Sequence, residues 1–245
     1  ASLVSVVGAD VDERKLEELL AAEDISTSLH EDAQLATTVK LRVIGRQQQL
    51  LRIDFETWPT HEVLRSKLAE FEQRLADCNV VILSDYGKGG LTHITEMIRL
   101  ARAAGKPVLV DPKGDDYSRY AGATLLTPNR SELRQVTGSW SDDAGLAEKA
   151  QRLRAELGLE ALLVTRSEEG MTLYHANGMH HEAAIAREVF DVSGAGDTVI
   201  AAMAVMIGSG LDLAQAMPLA NRAAGIVVGK LGTAVATLDE LKGLN

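Results

Sequence analysis

The sequence predicts an α/β protein, a doubly wound and mostly parallel sheet flanked by helices and carrying a small β lid. Three observations predict it. From residue 61 onward, segments with helical spacing alternate with short apolar runs. Runs such as Val80-Val81-Ile82-Leu83 and Val108-Leu109-Val110 are apolar at every position, as strands buried on both faces require. A polar loop follows each run, at the edge where such sheets bind ligands. With 245 residues, 46% of them hydrophobic, the chain has material for a sizeable core and reads as one domain over residues 1–245.

The opening run Leu3-Val4-Ser5-Val6-Val7-Gly8 is β-rich, and residues 13–22 follow with Leu16, Leu19 and Leu20 at helical spacing. A strand and helix begin the chain abruptly, without an initiator methionine, and the expectation is that an N-terminal segment precedes residue 1. Residues 36–56 then change to period two. Val39, Leu41 and Val43 alternate with Thr38, Lys40 and Arg42; Leu51, Ile53 and Phe55 alternate with Leu50, Arg52 and Asp54. This predicts a β-hairpin turning at residues 45–48. Two strands without an intervening helix do not belong inside a parallel sheet, so the hairpin is read as a flap or small second sheet. Lys40 and Arg42 share one of its faces, roughly 7 Å apart. They either grip a phosphate dianion or stand solvated.

The alternating part predicts a helix over 61–77, a strand over 79–83, a helix over 92–103, strands over 107–110 and 123–126, helices over 131–136 and 142–157, a strand over 161–165 and a second short hairpin over 171–181. The last part is Ala-rich, with helical runs over 198–207 and 213–228 and a short helix from residue 238. Ala220, Ala223, Ala224 and Gly225 permit close helix packing, and Pro218 lies in the first turn of its helix or kinks it.

A formal net charge of −10 argues against nucleic acid or an anionic membrane as partner. The single cysteine, Cys78, cannot form an internal disulfide, and no apolar run is long enough to span a membrane, which reads as a cytoplasmic, reducing setting. The six histidines are scattered, and adjacent His180 and His181 point to opposite faces of a strand, so a protein-built metal site is not expected.

The stretch with most chemistry is Asp191-Val192-Ser193-Gly194-Ala195-Gly196-Asp197, directly before a helix-like run. Around Gly194, Ala195 and Gly196 three successive backbone N–H groups can converge on an anion. Asp197 stands where it can take a proton from a hydroxyl attacking a phosphate held there. The same residues also suit an ordinary helix start. Other strand ends carry Ser84-Asp85-Tyr86-Gly87-Lys88-Gly89, Asp111-Pro112-Lys113-Gly114, Thr127-Pro128-Asn129-Arg130-Ser131-Glu132 and Arg166-Ser167-Glu168-Glu169-Gly170. Asn129 and Glu132 have capping-box spacing, or else order magnesium and its waters beside nucleotide phosphates. Lys88 and Lys113 are surface lysines or ligand contacts; Asp85 and Asp111 are turn formers or site residues. The segment from Gly225 to Leu231 imitates a P-loop but has three intervening residues, lacks Ser/Thr after Lys230 and follows a helical pattern. No Gly-x-Gly-x-x-Gly follows the first strand, which removes the dinucleotide fingerprint.

Taken together, Asp191 to Asp197, Thr127 to Glu132 and the Ala-rich end containing Asn221 resemble the ribokinase (PfkB) family of carbohydrate kinases. The hairpin, the segment from Ser84 to Gly89, and Asp111 to Gly114 are similar to the branch of that family acting on heptose 7-phosphate for ADP-heptose and lipopolysaccharide synthesis. The resemblance runs along essentially the whole chain. It implies an ATP- and Mg2+-dependent transfer of the γ-phosphate to the anomeric hydroxyl, giving a 1,7-bisphosphate. Asp197 matches the family's base, the backbone of Gly194, Ala195 and Gly196 its anion hole, and Asn129, Arg130, Ser131 and Glu132 its segment for ATP and magnesium, with Glu132 acting through water. Thr165, Ser167 and Asn221 fall at nucleotide contacts. Lys40, Arg42, Lys88, Asp111 and Lys113 are expected at the sugar phosphate, with Arg166 adding positive potential. Asp191, Gly232 and Thr233 lie near a monovalent-cation loop, a K+ site in relatives, and the hairpin resembles the lid that often forms a homodimer contact. Relatives open with an Asp-bearing sugar loop and a Gly-Gly-x-x-Asn segment, expected in the segment preceding residue 1, and some are fused to a nucleotidyltransferase; the expectation from residues 1–245 is the kinase activity only. The alternatives are a kinase for another sugar phosphate and an idle nucleotide- or sugar-binding regulator.

Overall fold

The computed structural model describes residues 1–45, 48–59, 61–185 and 189–243, with the side chains of 44, 48, 49, 61 and 62 left aside. The predicted hairpin turn at 45–48 therefore lies partly outside the described residues. Two compact units emerge: Ala1–Arg74 with Gly87–His93, and Leu75–Tyr86 with Ile94–Asn245.

In the first unit β1 (Ser2–Gly8) and β2 (Ser26–Asp32) pair in parallel through α1 (Val11–Ala22). Asp10 caps α1 by accepting from Glu13 N–H at 2.9 Å, and its other oxygen accepts from Thr37 N–H at 2.8 Å. β2 escapes the sequence reading because Ser-Thr-Ser-Leu-His-Glu-Asp has almost no apolar alternation and is only partly buried. β3 (Val39–Gly45) and β4 (Gln48–Phe55) form the expected antiparallel hairpin, a separate two-stranded sheet. Val39, Leu41 and Val43 pair with Phe55, Ile53 and Leu51 on one face, where all but half-buried Val39 are exposed. Lys40 and Arg42 occupy the other, opposite Asp54 and Arg52.

Helix α2 (His61–Arg74) continues as a 3-10 turn over Leu75–Asp77, so the predicted helix over 61–77 tightens at its end. A polar chain ties α2 to the first sheet. Lys67 Nζ donates to Ser28 Oγ at 2.9 Å and to Glu70 Oε2 at 2.7 Å, while Arg74 reaches Glu70 Oε1 at 2.9 Å and Ser2 Oγ at 2.7 Å.

The second unit holds a six-stranded sheet of β5 (Val81–Ser84), β6 (Val108–Asp111), β7 (Leu125–Leu126), β8 (Ala161–Thr165), β9 (Met171–His175) and β10 (Gly178–Glu182). They lie in sequence order, with β5 to β8 parallel and β9 and β10 antiparallel. The predicted second hairpin thus extends the main sheet. Gly170, at φ 92°, makes the return after β8 possible, since a Cβ there would sit 2.0 Å from the Glu182 carbonyl oxygen. The strand expected over 123–126 is shorter because Thr124 uses its hydroxyl, accepting from Val108 N–H at 2.9 Å, in place of a ladder carbonyl.

Helices α3 (Ile94–Ala103), α4 (Arg130–Thr137) and α5 (Asp143–Glu156) connect the strands, and α6 (Ala195–Gly208), α7 (Leu213–Val228) and α8 (Leu238–Lys242) complete the unit. Val199, Ile200 and Met203 of α6 and Ala216, Met217 and Ala220 of α7 pack on Leu109, Leu125, Leu163 and Leu173. Burial of each larger side chain contributes about 1.5–3 kcal/mol. Pro218 sits in the interior of α7, beyond its first turn. Among the described residues no helix is long and apolar enough to cross a membrane.

The Lys67–Glu70–Arg74 chain makes a pH prediction. Lys67 and Ser28, opposed by burial and helped by Arg74, hold the Glu70 carboxyl at about 2. A depressed folded-state value stabilises above the ordinary carboxylate range and is lost as pH falls toward 2. Glu70→Gln should therefore cost roughly 1 kcal/mol at pH 7, discounted for partial exposure, with the gap to the parent closing in melts between pH 5 and 2. A gap that persists at pH 2 counts against this assignment.

Candidate active site

Local sequence explains where α6 begins. Asp191 Oδ1 accepts from Ser193 N–H at 2.8 Å, folding the loop into a turn. Gly194 then takes a left-handed conformation, φ 78°, as N-cap, a geometry that disfavours any side chain. Ala195 N–H donates back to the Val192 carbonyl at 3.2 Å, and the first helical bond comes from Thr198 N–H to Gly194 O at 2.9 Å. The expected cradle of three amides is accordingly narrower. Ala195 is used by the turn, and Gly196 and Asp197 supply the first-turn N–H groups, which have no acceptor inside the helix. Asp197, in the first turn, also has the favourable charge for the positive end of the helix.

An open cavity of about 180 Å³ lies before this helix start, lined by Tyr86, Asp111, Lys113, Thr127, Asn129, Glu132, Thr165, Gly196 and Asp197. Each comes from a place that the sheet dictates. Tyr86 follows β5, Asp111 ends β6, Thr127 and Asn129 follow β7, Thr165 ends β8, and Glu132 lies in the first turn of α4. Asn129, beyond the end of β7, forms a parallel bridge with Thr165, the last residue of β8.

Behind the cavity, Asp85 is only 2% exposed. Its Oδ2 accepts from the Tyr120 hydroxyl at 2.8 Å and lies 3.5 Å from Arg119, while its N–H donates to the Asp111 carbonyl at 3.0 Å. Tyr120 in turn accepts from Lys113 N–H at 3.1 Å. One buried phenol thereby joins the loops after β5 and β6.

The cavity concentrates charge. Burial pushes the Asp111 carboxyl up to about 6, with Glu132, Asp197 and Asp85 adding to the rise and Lys113 opposing it. Lys113 pairs with Glu132. Burial pulls the Lys113 ammonium down, but the Glu132 hydrogen bond and Asp111 outweigh it and the net direction is upward. Both readings of Asn129 and Glu132 meet here. They form a full capping box, with Glu132 N–H to Asn129 Oδ1 at 2.9 Å and Asn129 N–H to Glu132 Oε2 at 2.8 Å, and both also line the cavity. Tyr86 donates its hydroxyl to Asp197 Oδ1 at 3.1 Å.

Other expected site residues stand elsewhere. Arg166 is not a solvent-facing cation for ligand. It is buried, pairs with Asp143 at 2.8 and 3.0 Å and with Glu169, and fixes the turn after β8. Arg130 pairs with the same Glu169. Ser167 adopts φ 55° in that turn, and Ser131, in the first turn of α4, is not among the residues lining the cavity. Asn221 is buried in α7 and donates to the Ala183 carbonyl at 2.7 Å. Lys40, Arg42 and Lys88 belong to the first unit, where Lys88 pairs with Glu56. Tyr86 and Thr127 had no role assigned from sequence; their place directly after a strand was the available signal.

Oxygen donors dominate the cavity, which suits a hard cation bound through water and phosphate oxygens. Among the described residues no three His, Cys, Asp or Glu side chains cluster to hold a metal by themselves.

A family model described as pfkB family carbohydrate kinase matches residues 1–240. The chain is 54% identical over 242 residues to D-beta-D-heptose 7-phosphate kinase of Bordetella bronchiseptica, covering 99% of this chain and 77% of that protein. It is 52% identical over 243 residues to the bifunctional protein HldE of Halorhodospira halophila, covering 99% of this chain but 51% of the relative. The chain thus spans about half the length of such bifunctional relatives. Among solved structures, phosphofructokinase-2 from Escherichia coli in complex with potassium aligns with a TM-score of 0.83 at 16% identity, over 99% of this chain and 80% of that one. Arabidopsis thaliana ribokinase complexed with ribose and ATP aligns at 0.80 and 20%, over 99% and 81%. These likenesses show the fold.

Because Lys113 opposes the rise at Asp111, Lys113→Met should lift the Asp111 midpoint above about 6, by roughly one pH unit. Carboxyl carbon NMR titration reads this directly; an unmoved or lowered midpoint would show that the ammonium does not act on Asp111.

Proposed function

Since this chain belongs to the pfkB family of carbohydrate kinases, we propose that its cavity passes the γ-phosphoryl group of ATP to the anomeric hydroxyl of heptose 7-phosphate, yielding the 1,7-bisphosphate. The observation that carries the reading is the Asp197 carboxylate beside the first-turn amides of α6 in the cavity. Phosphoryl transfer asks for positioning and charge stabilisation more than covalent chemistry. Asp197 accepts the proton of the sugar hydroxyl as its oxygen attacks phosphorus. The N–H groups of Gly196 and Asp197, with the helix dipole, stabilise charge on the transferring group. Glu132, with Asn129, would hold Mg2+ through water, and that ion would neutralise phosphate charge when bound with ATP. Thr165 lies at the nucleotide side of this reading, while Asp111 and Lys113 meet the sugar phosphate.

The choice of a heptose phosphate rests on the resemblance to the Bordetella bronchiseptica kinase and on the lid. There Arg42 lies directly opposite Arg52. Like charges in that position are unfavourable, and Asp54 answers Arg52 at 3.0 Å; Arg42 and Lys40 on the same face, with Lys88, are read as phosphate contacts. A monovalent cation, K+ as in the Escherichia coli structure, would lie by Asp191, Gly232 and Thr233. A cytoplasmic setting goes with such substrates.

We also infer a homodimer through the lid. The apolar face of the hairpin, from Leu41 and Val43 to Leu51, Ile53 and Phe55, is too continuous for a solvated surface and suits a second copy of the same sheet. Leu41→Lys with Ile53→Lys should convert a dimer into a monomer in analytical ultracentrifugation, and a parent protein that already sediments as a monomer would remove this interface.

Catalysis is tested by ADP release across heptose 7-phosphate, fructose 1-phosphate and tagatose 6-phosphate, in potassium and in sodium buffer. Heptose 7-phosphate should be preferred, and Asp197→Asn should bind ATP normally while losing roughly 10²- to 10⁴-fold in turnover. Near-parental turnover in that variant would rule out Asp197 as base.

A further inference from the structure

We propose that Tyr86 is a positioning residue for Asp197, its phenol holding one carboxylate oxygen so that the other is presented to the cavity. The proposal rests on the reading of Asp197 as the base. A carboxylate has two equivalent oxygens and a broad side-chain torsion, so its orientation must be imposed from outside. Here the imposing contact is the 3.1 Å hydrogen bond from Tyr86 Oη to Asp197 Oδ1, between residues 111 apart in the chain.

Tyr86 can do this because its own place is fixed. It directly follows Asp85, whose backbone is tied to Asp111 at 3.0 Å and whose side chain is tied to Tyr120 at 2.8 Å. Burial first, and then the charges of Asp197 and Asp111, raise the phenol above its ordinary range despite Ser84. Tyr86 therefore remains a donor at every pH at which a kinase would work. As the substrate hydroxyl gives its proton to Oδ2, its oxygen bonds to phosphorus and the bond from phosphorus to the ADP oxygen breaks. Throughout, Oδ1 keeps its phenol.

The charged groups sharing the cavity with Asp197 are Asp111, Lys113 and Glu132, with Asp85 buried behind them. None of these is altered by Tyr86→Phe, which removes one oxygen from a half-exposed ring and leaves the fold in place. Turnover should fall about 5- to 20-fold, the low end for a hydrogen bond to a charged group, with the KM for ATP unchanged. Tyr86→Phe and Asp197→Asn are assayed side by side. Beside an inactive Asp197→Asn, a Tyr86→Phe turnover equal to the parent's, or a loss matched by a rise in the KM for ATP, overturns the positioning role and leaves the base standing. An active Asp197→Asn overturns the base itself.

Discussion

A buried carboxylate holds the ligand edge of the larger sheet together. Asp85 has almost no contact with water, and its charge is met by the Tyr120 hydroxyl and Arg119. Removing one partner from such a group costs far more than the contact itself contributes, because a desolvated charge is left behind. The loops carrying Tyr86, Asp111 and Lys113 are consequently fixed to one another before any ligand arrives. That preorganisation is what a phosphoryl-transfer site needs, since nearly all of its work lies in placing charges.

The cavity resolves a conflict visible in the composition. A chain with net charge −10 must receive two polyanions, and three carboxylates, Asp111, Glu132 and Asp197, line the place where they would meet. Burial relieves part of the repulsion by lifting Asp111 toward neutrality, and Lys113 relieves another part through Glu132. Amides of the α6 start contribute positive potential with no side chain at all. The acidic cavity is therefore less hostile to phosphate than its residue list suggests.

Much of the larger unit could be read in the sequence, because strands buried on both faces leave apolar runs such as Val108 to Val110, and amphipathic helices leave their spacing. Strand β2 could not, since Ser26–Asp32 carries hydroxyls and charges and owes its conformation to pairing with β1. The place of Asp197 at a helix start was legible because the glycines before it permit the left-handed turn that begins α6. Tyr86 was not, since its hydrogen bond crosses 111 residues and nothing local announces it. Arg166 misled for the reverse reason. Its position after a strand suggested a ligand contact, whereas Asp143, supplied by the start of α5, claims its guanidinium. Asn129 and Glu132 could be read two ways, and the fold lets both stand.

That double use has a consequence for how the protein can change. Glu132 closes the reciprocal bonds that start α4 and also faces the cavity. A shorter or neutral apolar residue there would loosen a helix and remove an acid in one step. Divergence at this corner is thus constrained twice, once by folding and once by chemistry. Drift toward new substrates finds more freedom on the hairpin, where Arg42 and Arg52 stand on a two-stranded sheet of their own.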